Sequence, residues 1–540
     1  MRIVSALVLL LASGLAQATA PFTFPNPPGP FTVGFRVVNQ YDYSRAYKGD
    51  VDAVTGKPVD GERARPIQTL VWYPAAAAGK PMVFGDYLAL LGSEDDFSRS
   101  DAQQRALANQ LIQANYLSES GPEQGSAALA GAMRARRDAA PVSGKFPVVI
   151  YAPSISAPAA ENPDLCEYLA SHGYIVIASP SLGAHGRGMP NTLDGAETQA
   201  ADIAFLAAYA HTLPQAAADR LAVAGYSWGG IANVLAAAKD SRIKALVNLD
   251  GSVRYYPELM AAAKYATPQQ TGTPMLFLAA RPLSLEDIAR RGKPMTSFLN
   301  DMTYADLYKV TMLPMEHFAF SSAYLRFAPE RRYNQYPRAD VNRAFGWSAD
   351  YVLHFLDAYL KDDTKARAWL AQAPAEHGIP AYAATLEARP AASRPPGRMQ
   401  LAMTLSQHGF EHAHDAYQAM HTQAPSFELT EGELNEWGYG LLRAGKAAQA
   451  VEIFKLATLL YPASGNAFDS LAEAYEGRGD KPNAVLYYQR SLQLDPGNDN
   501  AREHLRRLDV GIKSSPPPTL YKQAAKQQKA SRLMSVSSAE

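Results

Sequence analysis

The stretch LAVAGYSWGG, residues 221–230, sets Ser227 between Gly225 and Gly229 at the end of an apolar run. A serine hydroxyl is a weak nucleophile at its free pKa. To do chemistry it needs a base, an acid that orients the base, and donors for the oxyanion. The run before Ser227 has strand length, and GGIANVLAAAKD after it has helical periodicity. Strand, tight turn and helix form an elbow that lifts the hydroxyl clear of the backbone. The competing reading, a serine in a structural glycine turn, does not require those flanks.

Where a nucleophile of this kind precedes its partners in the order serine, acid, histidine, the eleven histidines reduce to two. His172, His185 and His211 come before Ser227, while His377, His408, His412, His414, His421 and His504 lie far downstream. His354, in DYVLHFLDAYL, fits an amphipathic helix as a packed or surface histidine. His317 follows the strand-like YKVTMLP directly, in MEHFAFSS, and is assigned as general base and then acid. Two carboxylates compete to orient it. Asp250 ends IKALVNLD ahead of Gly251, whereas Asp287 in RPLSLEDIAR opens a helix, where capping explains it. Asp250 is preferred. Glu316 adjoins His317 in sequence and so points elsewhere.

The oxyanion needs two N–H donors, and the amide of Trp228, directly after the nucleophile, is the first. The second is expected from APSISAP after FPVVIYAP. Pro153 has no N–H, so Ser154 is the expected donor, with Ile155 behind it. Tyr226, Trp228 and Ile155 are expected to flank the substrate pocket.

These residues require a sheet to carry them. From about residue 28 to 360 short β-rich runs alternate with helical stretches, the pattern of a parallel sheet covered by helices. IQTLVWYP, FPVVIYAP, YIVIASP, LAVAGYS, IKALVNLD, PMLFLAA and YKVTMLP are the strand candidates. The polar, Ala- and Gln-rich insertion at 86–140 reads as helices outside the sheet, a candidate lid. Residues 361–397, including ARPAASRPPGR, read as a linker.

Beyond it the period changes. Leu434, Trp437, Gly438, Leu441, Ala450, Phe454, Ala457 and Pro462 recur 34 residues later as Phe468, Leu471, Ala472, Tyr475, Ala484, Tyr488, Ser491 and Pro496. Residues 398–508 resemble tetratricopeptide repeats, with units at 431–464 and 465–498 and a degenerate copy at 398–425. Residues 512–540 lack apolar periodicity and are expected to be disordered.

GPFTVGFRVV, ARPIQTLVWYPA, FPVVIYAPS with YLASHGYIVIASP, GYSWGG, NLDGS and HFAF together resemble one known group. It is the platelet-activating factor acetylhydrolase-like branch of the α/β-hydrolases, close to the dienelactone-hydrolase-like proteins. The resemblance spans roughly residues 28–360 and implies an α/β-hydrolase fold. It places nucleophile, acid and histidine on Ser227, Asp250 and His317. It implies hydrolysis of an ester with an unspecified acyl group.

Bulk properties narrow the classes. The chain has 540 residues, 47% hydrophobic and 19% charged, and a net charge of −1, so two or three domains are expected and nucleic acid is not. MRIVSALVLLLASGLAQATAP reads as a signal peptide cleaved after Ala18, hence a periplasmic or secreted protein with no transmembrane segment. Cys166, the only cysteine, is expected to be a buried inert thiol. GLLRAGKA, at 440–447, lacks the Ser or Thr of a phosphate loop and the strand before it. His408, His412, His414 and His421 have no matched carboxylate set, and no cofactor or metal is expected. The expected activity is a serine carboxylic-ester hydrolase. The alternatives are a repeat scaffold on a non-catalytic hydrolase platform, and an acyltransferase using the same triad. The expected partners are a small-molecule ester and, through the repeats, a protein or a second copy.

Overall fold

The computed structural model describes residues 22–51, 56–58, 61–282, 298–333, 335–392 and 397–508. The signal-peptide reading, residues 393–396 of the bridge sequence ARPAASRPPGR, and the tail at 512–540 lie outside them. The chain divides into two compact units after Ala392.

The first unit is built on one sheet. Its strands are β1 (Thr32–Ala46), β2 (Ala64–Ala75), β3 (Lys80–Val83), β4 (Ala132–Arg137), β5 (Phe146–Ala152), β6 (Ile175–Ala178), β7 (Ala216–Tyr226), β8 (Ile243–Leu249), β9 (Met275–Ala280), β10 (Leu307–Met312) and β11 (Ala384–Arg389). Their spatial order is β11-β10-β9-β8-β7-β5-β6-β2-β1-β4-β3. From β6 to β10 all neighbours are parallel. β2 joins β6, and β11 joins β10, in antiparallel pairs.

The central strands are continuous apolar runs because both faces are covered. Alternate residues enter opposite cores: Val149 and Tyr151 of β5 lie with helices Pro163–Ser171 and Arg338–Leu360. Val148 and Ile150 lie with helices Leu193–Ala210 and Gly229–Lys239. Cys166 is 1% exposed on the first of these helices, and burial pushes its thiol well up. This mostly parallel sheet, helix-covered on both faces, is that of an α/β-hydrolase.

All seven strand candidates are strands, but two readings need correction. The insertion at 86–140 carries helices Asp101–Ile112 and Pro122–Ala130, yet it ends in β4, which pairs parallel with β1 inside the sheet. Only Ala135 of AMRARR is fully buried, so this outer strand looks polar in sequence. The linker reading at 361–397 fails through residue 392. Asp363 caps helix Thr364–Leu370 through the Lys365 and Ala366 amides, and β11 closes the sheet edge. In ATLEAR only Ala384 is buried, and an edge strand with one core residue leaves little apolar signal.

The second unit is helical: Arg398–His408, Ala413–Gln423, Glu431–Arg443, Ala447–Leu460, Gly465–Gly477, Lys481–Leu494 and Asp499–Arg507. Three of these helices begin on side-chain caps 34 residues apart, Thr430, Ser464 and Asn498, each accepting an amide three residues on. A Cβ on Gly438 would sit 2.3 Å from the Phe454 ring, so the paired helices approach there only because of glycine. GLLRAGKA lies in the turn between two helices. Among the described residues no helix is long and apolar enough to cross a membrane.

Candidate active site

β7 ends at Tyr226, and the chain turns through Ser227 into helix Gly229–Lys239. Ser227 has φ +52°, a left-handed conformation costing a non-glycine residue about 1–3 kcal/mol. Its neighbours hold it there. The Ser227 amide donates to the Leu249 carbonyl at 3.1 Å, and the Ser227 carbonyl accepts from Gly230 at 3.0 Å and Ser252 at 2.7 Å. A Cβ on Gly225 would lie 2.2 Å from the Gly229 carbonyl oxygen, and one on Gly229 would lie 2.1 Å from that of Ala152. Only glycine lets the turn close this tightly.

His317 opens a short turn after β10. Its Nε2 is 2.9 Å from Ser227 Oγ, and its Nδ1 is 2.7 Å from Asp250 Oδ2. An ionised carboxylate only accepts, so Nδ1 carries the hydrogen and the Nε2 lone pair faces the serine hydroxyl. Asp250, directly after β8, is fully buried at φ +42°. Its Oδ1 accepts the Ala280 amide at 3.0 Å, and the Arg254 guanidinium stands 4.0 Å away. The Tyr226 hydroxyl donates to the His317 carbonyl at 2.9 Å, and the two rings lie 5.2 Å apart. The imidazole is thus held from three sides, and half its surface stays open to an incoming substrate. Asp287 lies outside the described residues. Glu316 turns away to Arg281, and His354 stacks on Trp369 at 4.0 Å.

The remaining expectations are partly corrected. Among the described residues the Trp228 amide has no hydrogen-bond partner, as an oxyanion donor requires. The Ser154 amide is already spent, donating to Glu161 Oε2 at 2.8 Å. Among the described residues the Ile155 and Ser156 amides are left without a partner, and Ile155, directly after Ser154, is the nearer of the two to the expected donor position. Tyr226 and Trp228 do not line the cavity at Ile155. Each is 2% exposed, Tyr226 packed beneath His317 and Trp228 edge-on to Tyr256 at 5.5 Å. Side chains flanking a nucleophile at an elbow point down into the two cores, which the motif alone does not reveal.

Ile155 is exposed and lines a cavity of about 460 Å³ with Tyr116, Glu161, Phe318, Tyr324 and Arg332. Sequence reasoning missed Glu161, Tyr116 and Tyr324. The one available signal was a glutamate, the single charged residue of the proline-containing loop SISAPAAENP. Burial pushes the Glu161 carboxyl up to about 7, against the pull of the Ser154 and Tyr151 hydrogen bonds and of His317.

The profile of the family described as X-Pro dipeptidyl-peptidase (S15 family) matches residues 69–378, more than half of the chain. A solved ferulic acid esterase from Streptomyces cinnamoneus is similar at 19% identity and a TM-score of 0.45. The match covers 68% of this chain and 99% of that one. At that score the likeness bears on no detail of the site. No curated protein matches the chain.

Proposed function

Since this chain belongs to the X-Pro dipeptidyl-peptidase (S15) family and is a serine hydrolase, we propose that it hydrolyses carboxylic esters through an acyl-enzyme on Ser227. The observation that carries the reading is His317, bridging Ser227 Oγ at 2.9 Å and Asp250 Oδ2 at 2.7 Å. Ser227 Oγ attacks the ester carbonyl while its proton passes to His317 Nε2. Asp250 holds the resulting imidazolium. The Trp228 and Ile155 amides, with the N-terminus of helix Gly229–Lys239 behind them, receive the oxyanion. Collapse breaks the bond to the alcohol, which leaves with the Nε2 proton. Water, deprotonated by the same nitrogen, then releases the acid and restores the serine.

The resemblance to the platelet-activating factor acetylhydrolase-like and dienelactone-hydrolase-like proteins supports esters with small or lipid-like acyl groups. The family match favours a second substrate class, peptides with proline at the second position. A fluorophosphonate probe is expected to label the wild type and not Ser227→Ala. A series of nitrophenyl esters against Xaa-Pro nitroanilides then decides between the classes. A folded wild type that never labels would remove the nucleophile reading.

The second unit fits a tetratricopeptide-like interaction domain. The 34-residue spacing of Thr430, Ser464 and Asn498 supports it. Export with cleavage after Ala18 is proposed from the sequence of the leader alone.

A further inference from the structure

We infer that Glu161 is a positioning residue that ties the oxyanion loop to the histidine loop and so aims the Ile155 amide at the reacting carbonyl. The inference rests on the acyl-enzyme reading and adds to it a part that neither motif nor family supplies.

Glu161 is 2% exposed, and every polar atom of its side chain is engaged. Oε2 accepts the Ser154 amide at 2.8 Å and the Tyr151 hydroxyl at 3.2 Å, and Oε1 accepts the Ser154 hydroxyl. Ser154 is therefore gripped at both its backbone and its side chain. The peptide plane that follows Ser154 carries the Ile155 N–H. Its other end, the Ser154 carbonyl, accepts the Ala157 amide at 3.2 Å. Fixing Ser154 fixes that plane, and with it the direction of the donor.

Glu161 and its neighbour Asn162 hold the opposite loop. The Glu161 carbonyl accepts from Ser321 Oγ at 3.0 Å and from the Ala323 amide at 3.2 Å. Asn162, wholly buried, donates Nδ2 to the Phe320 carbonyl at 2.7 Å and accepts the Ser322 amide on Oδ1 at 3.0 Å. Phe320 to Ala323 begin three residues after His317, at the end of the short turn that His317 opens, so base and oxyanion donor are referenced to one buried dipeptide. A buried carboxyl that only filled space would be costly, and an apolar residue would serve better. The convergence of seven donors and acceptors from the two sides on Glu161 and Asn162 is what a spacer would not need.

The test compares Glu161→Ala with Glu161→Gln by kcat, KM and boronic-acid inhibition on one nitrophenyl ester. The amide oxygen of glutamine can accept from the Ser154 amide and Tyr151, while its NH2 donates to Ser154 Oγ. The glutamine protein is therefore expected to stay within about 5-fold of wild type. Loss of an oxyanion donor costs about 100-fold in kcat, and the alanine protein is expected to fall by about that much with KM within about 3-fold. Its affinity for the boronic acid, whose tetrahedral adduct fills the oxyanion hole, is expected to fall in step. Retained kcat in Glu161→Ala, a KM rise that accounts for the loss, or a Glu161→Gln protein as impaired as the alanine one would each overturn the inference. Should Glu161→Ala not fold, Glu161→Asp, whose carboxylate stops one methylene short of Ser154, takes its place with the same expected loss. Fluorophosphonate labelling of the wild type, absent in Ser227→Ala, keeps failure of the nucleophile reading separate from failure of this one.

Discussion

Asp250 accepts one hydrogen from the base and one from the sheet, and it does so with no exposure to water. Asparagine in its place keeps the volume but can donate to Nδ1, which turns the imidazole to the wrong tautomer. Asp250→Asn is expected to lower kcat by about 10⁴-fold with little change in KM or in the far-UV spectrum, read by steady-state kinetics on a nitrophenyl ester. Ser227, Asp250 and His317 were legible because chain order and strand ends leave few candidates. Ser154 misled for a physical reason. Its N–H is claimed by a carboxylate seven residues on, and no local pattern announces a side chain folding back onto a loop. Tyr226 and Trp228 misled because adjacency to a nucleophile in sequence is opposite to adjacency in space at so sharp a bend.

Among elements, the clearest regularity is the capped start of three helices in the second unit. Thr430 Oγ1 accepts the Glu433 amide, and Glu433 reaches back to the Thr430 amide at 2.9 Å. Ser464 Oγ accepts the Ala467 amide at 3.1 Å. Thr430→Ala and Ser464→Ala are each expected to cost about 1 kcal/mol in urea unfolding of the second unit's transition, and to leave ester turnover unchanged. A double variant losing clearly less than the sum of the two single effects would show that the caps do not act separately. At this scale the sequence spoke loudest where burial was complete. β2, β5, β6 and β9 are buried along almost their whole length and were visible, whereas β4 and β11 bury one residue each and were not. Helical repeats, by contrast, declare themselves through period even when individual faces are polar.

Across the whole molecule, three buried glutamates set a common pH response. Burial pushes Glu94, Glu161 and Glu167 each up to about 7, with Arg187 opposing it at Glu94, Ser154 at Glu161, and Asp164 reinforcing it at Glu167. A folded-state pKa above the unfolded one means the native protein holds the proton more tightly. The stabilisation is full below about 4.5 and is lost as pH rises through about 7. Each group that keeps its proton contributes on the order of 3 kcal/mol or less. Asp42, Asp95 and Asp96 are lowered, Asp96 to about 2, so their share of stability disappears instead as pH falls toward that value. Tm is expected to be higher at pH 5.5 than at pH 8, and Glu167→Gln to flatten that slope, in scans at constant ionic strength. A Tm that climbs steadily from pH 5.5 to 8 would mean these carboxyls are ionised throughout.

The sealed position of Cys166 has a practical corollary. With its sulfur walled in behind the first helix layer, the native chain offers nothing to maleimide reagents. A single engineered thiol at exposed Tyr324 or Ile155 would then be the sole attachment point for a dye. Such a reporter would look straight into the recess lined by Glu161 and Phe318, and no background labelling would need to be removed first.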